Sequence, residues 1–342
     1  MSRKLVLDML DQRPVWGMPE WVAGRLREAL PRDWVLEVVR VPADGRGDGD
    51  GPSAEALDAV RGAEVYVGFG VPAPILERGK GTLRWVHSGT AGVGTSLHQE
   101  MRSADILFTN SAGVHAAPIA ETVIGVMLHF ARGFDFAVRA QRRGEWDPSP
   151  FEQAGTPVRE FAGARVGLLG LGGIGREVAW RALALGSSVR ALKRRPGGGV
   201  EGVELLAGPD ALLRLLAGSD YLVVAAPETG ETRGMIGRDE LAALPQGAVL
   251  VNVSRGPLVD QAALARALAS GRLRGAGLDV FEEEPLPAGS PLWSSPNLLI
   301  TPHVAAVSRG FWQREVALML ENLSRYLNGK PLRNQVDKEA GY

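Results

Sequence analysis

Short apolar runs recur along this chain, and most are followed by a stretch of helical length. One series falls at 4–9, 34–41, 64–68, 84–88 and 106–109. A second falls at 165–170, 188–193, 221–225, 248–252, 275–279 and 298–301. Several are continuous runs of Val, Leu, Ala and Gly rather than alternating ones, which suits parallel strands covered on both faces. Between them, residues such as Ile174, Val178, Ala182 and Leu185 form one helical stripe, and Gly186 ends it. The alternation predicts an α/β fold with doubly wound parallel sheets in two copies, and 342 residues suit two domains.

Composition narrows the function. Lys and Arg total 38 against 39 Asp and Glu, so a basic nucleic-acid-coating surface is not expected. With 45% apolar residues the chain has material for cores, and its 44 Gly and 22 Pro suit many short elements joined by tight turns. Cysteine is absent, which excludes disulfides, thiolate metal sites and a cysteine nucleophile. The opening segment carries Asp8 and Asp11 inside a short apolar run, unlike a signal peptide, and no apolar stretch is long enough for a membrane span. The expectation is a soluble, cytoplasmic protein. The run from Asp44 resembles part of a calcium loop, with Asp44, Asp48 and Glu55 in place. Arg46 stands where an oxygen ligand belongs, so it reads as a connecting loop and no metal is expected. The segment 118–131 is apolar on every side, as in a helix buried inside a domain or between subunits. The arm at 133–160 shows no clear period and reads as an extended loop.

The sharpest motif is Gly170-Leu-Gly172-Gly173-Ile174-Gly175, set between a buried strand and a helix. Gly170 permits the tight turn, Gly172 lets backbone approach a pyrophosphate, and Gly175 lets helix and strand pack closely. The helix N-terminus offers N–H groups to phosphates. In an NAD site the next strand usually ends in an acid that accepts from the ribose hydroxyls. Here Lys193, Arg194 and Arg195 stand there, so NADP(H) is preferred, with NAD(H) possible.

Hydride transfer to a carbonyl needs a proton donor, most often His. His98 and His129 read as structural, while His87 and His115 fall near a possible cleft. His303 follows a strand, at the carboxyl end where doubly wound folds bind ligands. Two other strands end similarly, one delivering Arg255 and the other Asp279 and then Glu284. An Arg, a Glu and a His from three strand ends, behind a nucleotide turn, form a candidate catalytic set.

These motifs resemble the D-isomer-specific 2-hydroxyacid dehydrogenase family. The resemblance rests on Gly170–Gly175, Asn252-Val-Ser254-Arg255-Gly, Leu278-Asp279-Val-Phe-Glu-Glu-Glu284-Pro and Thr301-Pro-His303-Val, in the family's order. It implies a Rossmann cofactor domain (110–303) inserted into a flavodoxin-like substrate domain (1–109 and 304–342), with a cleft that closes by hinge motion. It further implies that Arg255 orients a 2-oxo acid, that His303 protonates its carbonyl oxygen, and that Glu284 holds His303 and favours its imidazolium form. Asp279 resembles a contact to the nicotinamide end, and Pro227 and Thr232 resemble a cofactor loop. Ser254 and Ala305 sit in cofactor-lining motifs, and the N–H groups of Ala91 and Gly92 resemble binders of the substrate carboxylate. The helix near 118–133 and the arm after it resemble dimer-forming elements, which implies a homodimer with no nucleic-acid or membrane partner. Gly94 replaces a common Asp, and Ala305-Ala306 replaces a frequent Gly. The basic cluster and the second change resemble an NADPH-dependent glyoxylate/hydroxypyruvate reductase branch. The expected function is reduction of a small 2-oxo acid to the D-2-hydroxy acid. The alternatives are a dinucleotide-sensing regulator on the same fold, and a dehydrogenase of another small acid such as formate or phosphite.

Overall fold

The computed structural model describes residues 3–42, 51–194 and 197–341. The calcium-like run from Asp44 to Asp48 and the residue Arg195 lie outside the described residues. The chain forms two compact units, one of Met1–His115 with Val307–Tyr342 and one of Ala116–Ala306. The sequence expectation set the joints at 109/110 and 303/304. Among the described residues no helix is long and apolar enough to cross a membrane.

The first unit holds β1 (Arg3–Asp8), β2 (Trp34–Val38), β3 (Val65–Gly68), β4 (Trp85–Ser88) and β5 (Leu107–Asn110), in the order β2-β1-β3-β4-β5, all parallel. Alternate side chains of one strand reach opposite cores. Leu5 and Leu7 of β1 join the cluster with Trp85, Phe311, Trp312 and Met319, while Val6 joins Val86, Ile75 and Met101 on the other face. The helix Phe311–Leu327 therefore shares, with Val22 and Leu26, one face of a sheet whose strands lie roughly two hundred to three hundred residues earlier in sequence.

Two buried polar ties run through this unit. His87 on β4 is wholly buried. Its Nδ1 lies 2.8 Å from Thr109 Oγ1, and its Nε2 lies 3.0 Å from Glu315 Oε1 on the returning helix. Ser111 Oγ donates to the same Glu315 oxygen at 2.9 Å. His87 is thus a core histidine and not part of an open cleft. His115 stacks on Phe311 with ring centroids 5.2 Å apart. The second tie joins Tyr66 and Asp8, where the phenol donates to Asp8 Oδ2 at 2.7 Å. Burial pushes the Asp8 carboxyl above the usual carboxylate range, with the Tyr66 bond opposing it. A raised carboxyl favours folding below its unfolded pKa of about 3.9 and loses that contribution as pH rises through the folded value. Asp8→Asn keeps the acceptor and removes the buried charge. It is expected to gain on the order of 1 kcal/mol, or about 2–4 °C in unfolding midpoint, at pH 8, and nothing at pH 3.5. Melting curves at both pH values check this, and an equal or reversed shift contradicts it.

The second unit holds β6 (Arg165–Leu169), β7 (Ser188–Leu192), β8 (Val203–Leu206), β9 (Tyr221–Val224), β10 (Ala248–Asn252), β11 (Leu273–Leu278) and β12 (Leu298–Ile300). Their order is β12-β11-β10-β9-β6-β7-β8, again all parallel. The strand order reverses at β6, which has β7 on one side and β9 on the other, the switch point where such sheets bind ligands. The continuous apolar runs face two cores. Leu222, Val224 and Leu250 enter one, while Tyr221, Val223, Val249 and Val251 enter the other.

Helix Ala116–Ala131 packs on β10 and β11 and against helix Gly173–Ala184, which accounts for its apolar character on every side. The approach is close enough that a Cβ on Gly275 would meet the Phe130 ring at 2.4 Å, and one on Gly277 would meet Val126 at 2.4 Å. The arm is not the extended loop expected. It contains helices Phe134–Arg143 and Ser149–Glu152. Gly133 and Gly144 flank the first in left-handed backbone, and Asp135 ties its start to the sheet through Arg274 at 2.6 Å.

Candidate active site

Because every strand of the second sheet runs the same way, the ends of β6, β10, β11 and β12 carry their following residues to one edge. Gly170 leaves β6 with φ +106, in the region that favours glycine, and a Cβ there would meet Ala225 O at 2.7 Å. Gly173 opens the helix Gly173–Ala184, and Gly172 is its N-cap. A Cβ on Gly175 would meet Gly170 O at 2.2 Å, so Gly175 permits the close turn. A Cβ on Gly172 would meet nothing within 4 Å. The turn therefore offers space in front of a helix N-terminus, which is what a pyrophosphate requires. Ile174 is half-buried and packs against the core beneath.

At the end of β7, the Lys193 ammonium donates to Gly197 O, and Arg194 lies 3.6 Å from Glu231. Glu231 belongs to the loop after β9. There Thr232 Oγ1 donates to Pro227 O at 2.7 Å and accepts from Thr229 N–H at 2.8 Å. Thr232 thus shapes the turn that presents Pro227.

After β10, Asn252 fixes the exit. Its Oδ1 accepts from Ser254 N–H and Oγ–H, both at 3.1 Å, and its Nδ2 donates to Arg255 O at 2.9 Å. Ser254 is buried and Arg255 is exposed, with its Nη1 donating to Ser254 O at 2.7 Å. The next residue must be glycine, because a Cβ on Gly256 would lie 1.9 Å from Phe281 C. The loop after β10 is thereby pressed onto the loop after β11, which carries Glu284.

Glu284 Oε1 accepts from Phe281 N–H at 2.8 Å, and Oε2 accepts from His303 Nδ1 at 2.7 Å. The His303 side chain stays 47% exposed, so the pair lies where a small molecule can reach it. With Nδ1–H committed to Glu284, Nε2 is the nitrogen that exchanges a proton with a bound molecule. His303 has φ +54, a left-handed conformation uncommon for a side chain with a Cβ and frequent at functional positions. Asp279 is buried and bonds to the His303 loop, and Ala305 gives its N–H to Asp279.

Ala91 and Gly92 belong to the first unit, after β4. There Thr90 Oγ1 donates to Gly92 O at 2.8 Å, and Asn110 Nδ2 donates to Ala91 O at 2.8 Å. Among the described residues no group of three or more His, Asp or Glu is arranged to hold a metal. Sequence reasoning missed Asn252, Gly256 and Thr301 as residues that shape the site. Each stands inside a motif already noted, beside the residue it supports.

A nucleotide turn at the switch point and a His–Glu pair on the same edge define a dinucleotide-dependent oxidoreductase. Residues 124–305 match the family described as "D-isomer specific 2-hydroxyacid dehydrogenase, NAD binding domain". A glyoxylate/hydroxypyruvate reductase A of Salmonella typhimurium is 35% identical over 342 residues, covering 98% of this chain and 100% of the relative. A D-3-phosphoglycerate dehydrogenase of Methanocaldococcus jannaschii is 32% identical over 289 residues, and the match covers 83% of this chain but only 53% of that longer relative. Among solved structures, a D-isomer specific 2-hydroxyacid dehydrogenase of Xanthobacter autotrophicus Py2, in complex with NADPH and MES, aligns with a TM-score of 0.80 at 34% identity, covering 100% and 99% of the two chains. The chain belongs to the D-isomer-specific 2-hydroxyacid dehydrogenase family, whose members depend on a nicotinamide dinucleotide.

The glycines then make a contrast. Gly175→Ala is expected to cost about 1–3 kcal/mol by forcing helix and strand apart. Gly172→Ala is expected to leave stability within about 0.5 kcal/mol yet weaken dinucleotide binding at least about tenfold, because its methyl enters the space a pyrophosphate needs. Melting and dinucleotide titration of both variants check this. Undiminished binding by Gly172→Ala would place the pyrophosphate elsewhere.

Proposed function

We propose that the chain reduces small 2-oxo acids, glyoxylate or hydroxypyruvate among them, to the D-2-hydroxy acid, with NADPH preferred over NADH. The observation that carries this reading is the His303–Glu284 bond of 2.7 Å at the same sheet edge as the nucleotide turn and Arg255. The name of the Salmonella relative and the NADPH in the Xanthobacter structure support it.

The residues fit a dinucleotide: an open face at Gly172, a helix N-terminus behind it, and Lys193 and Arg194 at the end of β7, where an acid would repel a 2′-phosphate. Bound there, the reduced nicotinamide supplies the hydride for the 2-oxo carbon. The loops holding Pro227, Thr232, Ser254 and Ala305 would line its remaining length. Arg255 matches its guanidinium fork to the substrate's carboxylate and carbonyl oxygens. His303 gives a proton from Nε2 to the carbonyl oxygen as charge develops there, and Glu284 keeps the ring oriented through Nδ1. The reading extends to a homodimer through the arm after helix Ala116–Ala131, where Phe134 is 54% exposed and Trp146 is 97% exposed.

The test follows reduced-nicotinamide absorbance with NADPH and NADH in parallel, offering glyoxylate, hydroxypyruvate, pyruvate and a bulky aryl 2-oxo acid. Turnover of the small acids is expected, with kcat/KM at least about tenfold higher for NADPH. Equal use of both dinucleotides would overturn the preference. Failure with every acid would favour a dinucleotide-sensing regulator.

A further inference from the structure

Asp279 is 4% exposed, and its carboxylate is engaged by the loop that carries His303. Oδ1 accepts from Thr301 Oγ1–H at 2.5 Å and from Val304 N–H at 2.9 Å. Oδ2 accepts from Ala305 N–H at 3.0 Å. A carboxylate offers about four acceptor positions, and three are taken by residues on either side of His303. The main chain adds a fourth bond, since His303 N–H donates to Asp279 O at 2.9 Å. These bonds bracket the one residue of the loop with a positive φ, which an L side chain adopts only when its surroundings hold it there. Backbone N–H groups on an ionised carboxylate are among the stronger hydrogen bonds a loop can make.

We infer that Asp279 and Thr301 form a latch that fixes the backbone of His303, so that Asp279 is a positioning residue for the proton donor in addition to the nicotinamide contact that the family resemblance implies. Glu284 then fixes only the ring, through Nδ1, while the latch fixes where the ring begins. This division explains why the loop needs two acids from the same segment following β11, one buried and one half-exposed. The inference rests on the proposed role of His303.

The test compares Thr301→Val, Thr301→Ser, Asp279→Asn and His303→Ala in the full chain. Three readouts are taken: kcat with glyoxylate, KM for glyoxylate, and the NADPH Kd by direct titration without substrate. Thr301→Val removes one bond and touches neither acid. It is expected to lower kcat about tenfold, and Asp279→Asn about a hundredfold, the scale on which a small misplacement of a reacting group is felt. NADPH Kd should stay within about threefold in Thr301→Val, a change too small for the loss of a direct contact to the cofactor. Thr301→Ser keeps the hydroxyl and is expected to recover most of the loss. Unchanged kcat in Thr301→Val overturns the inference, and so does a tenfold or larger loss of NADPH affinity in that variant. If Asp279→Asn does not fold, the Thr301 pair decides alone. If His303→Ala retains wild-type turnover, it is the role of His303 that fails. If His303→Ala is inactive while the latch variants are not, only the latch fails.

Discussion

His303→Ala is expected to lower kcat for 2-oxo acid reduction by about 10³-fold, within the range a general acid supplies, while NADPH affinity stays at its wild-type value. The argument is geometric. The ring's Nδ1 is bound to Glu284 at 2.7 Å, so the nitrogen left for a substrate is Nε2. In the intact site both Glu284 oxygens accept, one from Phe281 N–H and one from His303. Steady-state rates with glyoxylate, together with direct NADPH titration, check the result. Wild-type kcat would remove His303 from the mechanism. A lost rate with lost NADPH binding would make it a cofactor residue.

Arg255→Ala is expected to lower kcat/KM for the 2-oxo acid by about 10²–10³-fold, the scale of losing one partner of a paired, partly desolvated charge. Arg255 is held by its neighbours rather than by another charge: Asn252 fixes its carbonyl and Ser254 O accepts one of its N–H groups. On the proposed function, the rest of its planar fork is left to the substrate's carboxylate and adjacent carbonyl. Lysine carries the charge without the fork, so Arg255→Lys is expected to recover only a small part. Substrate saturation curves check this, and a kcat/KM within about threefold of wild type in Arg255→Ala would assign substrate binding to another residue.

The sequence made most of the architecture legible because parallel strands covered on both faces are written as uninterrupted apolar runs. Ala248–Asn252 is buried at every position and was expected residue for residue. The strand at Val203–Leu206 escaped notice for the opposite reason. It lies at the sheet edge with two of its four residues exposed, inside a segment rich in Gly and Glu. Helix Phe134–Arg143 was hidden because Phe134, Phe136 and Val138 alternate like a strand, while its anchor, Arg274, stands 139 residues away. The burial of His87 depends on Glu315, 228 residues on. The candidate catalytic set was readable because Arg255, Glu284 and His303 each lie within about six residues of the end of a strand. The latch on His303 was not, since it depends on the left-handed backbone of His303 and on bonds to Asp279 that no local pattern announces.

The first unit's core also sets an order of events during synthesis. Helix Phe311–Leu327 supplies Phe311, Trp312, Val316, Met319 and Leu323 to the core beneath β1 and β4, and Glu315 to His87. A ribosome therefore releases Ala116–Ala306, a continuous stretch with both faces of its sheet covered by its own helices, before the second face of the first unit is complete. Domains fold as units as they emerge. The later-starting unit is thus equipped to finish first, while Leu5, Leu7 and Trp85 wait with only Val22, Leu26 and their early neighbours against them.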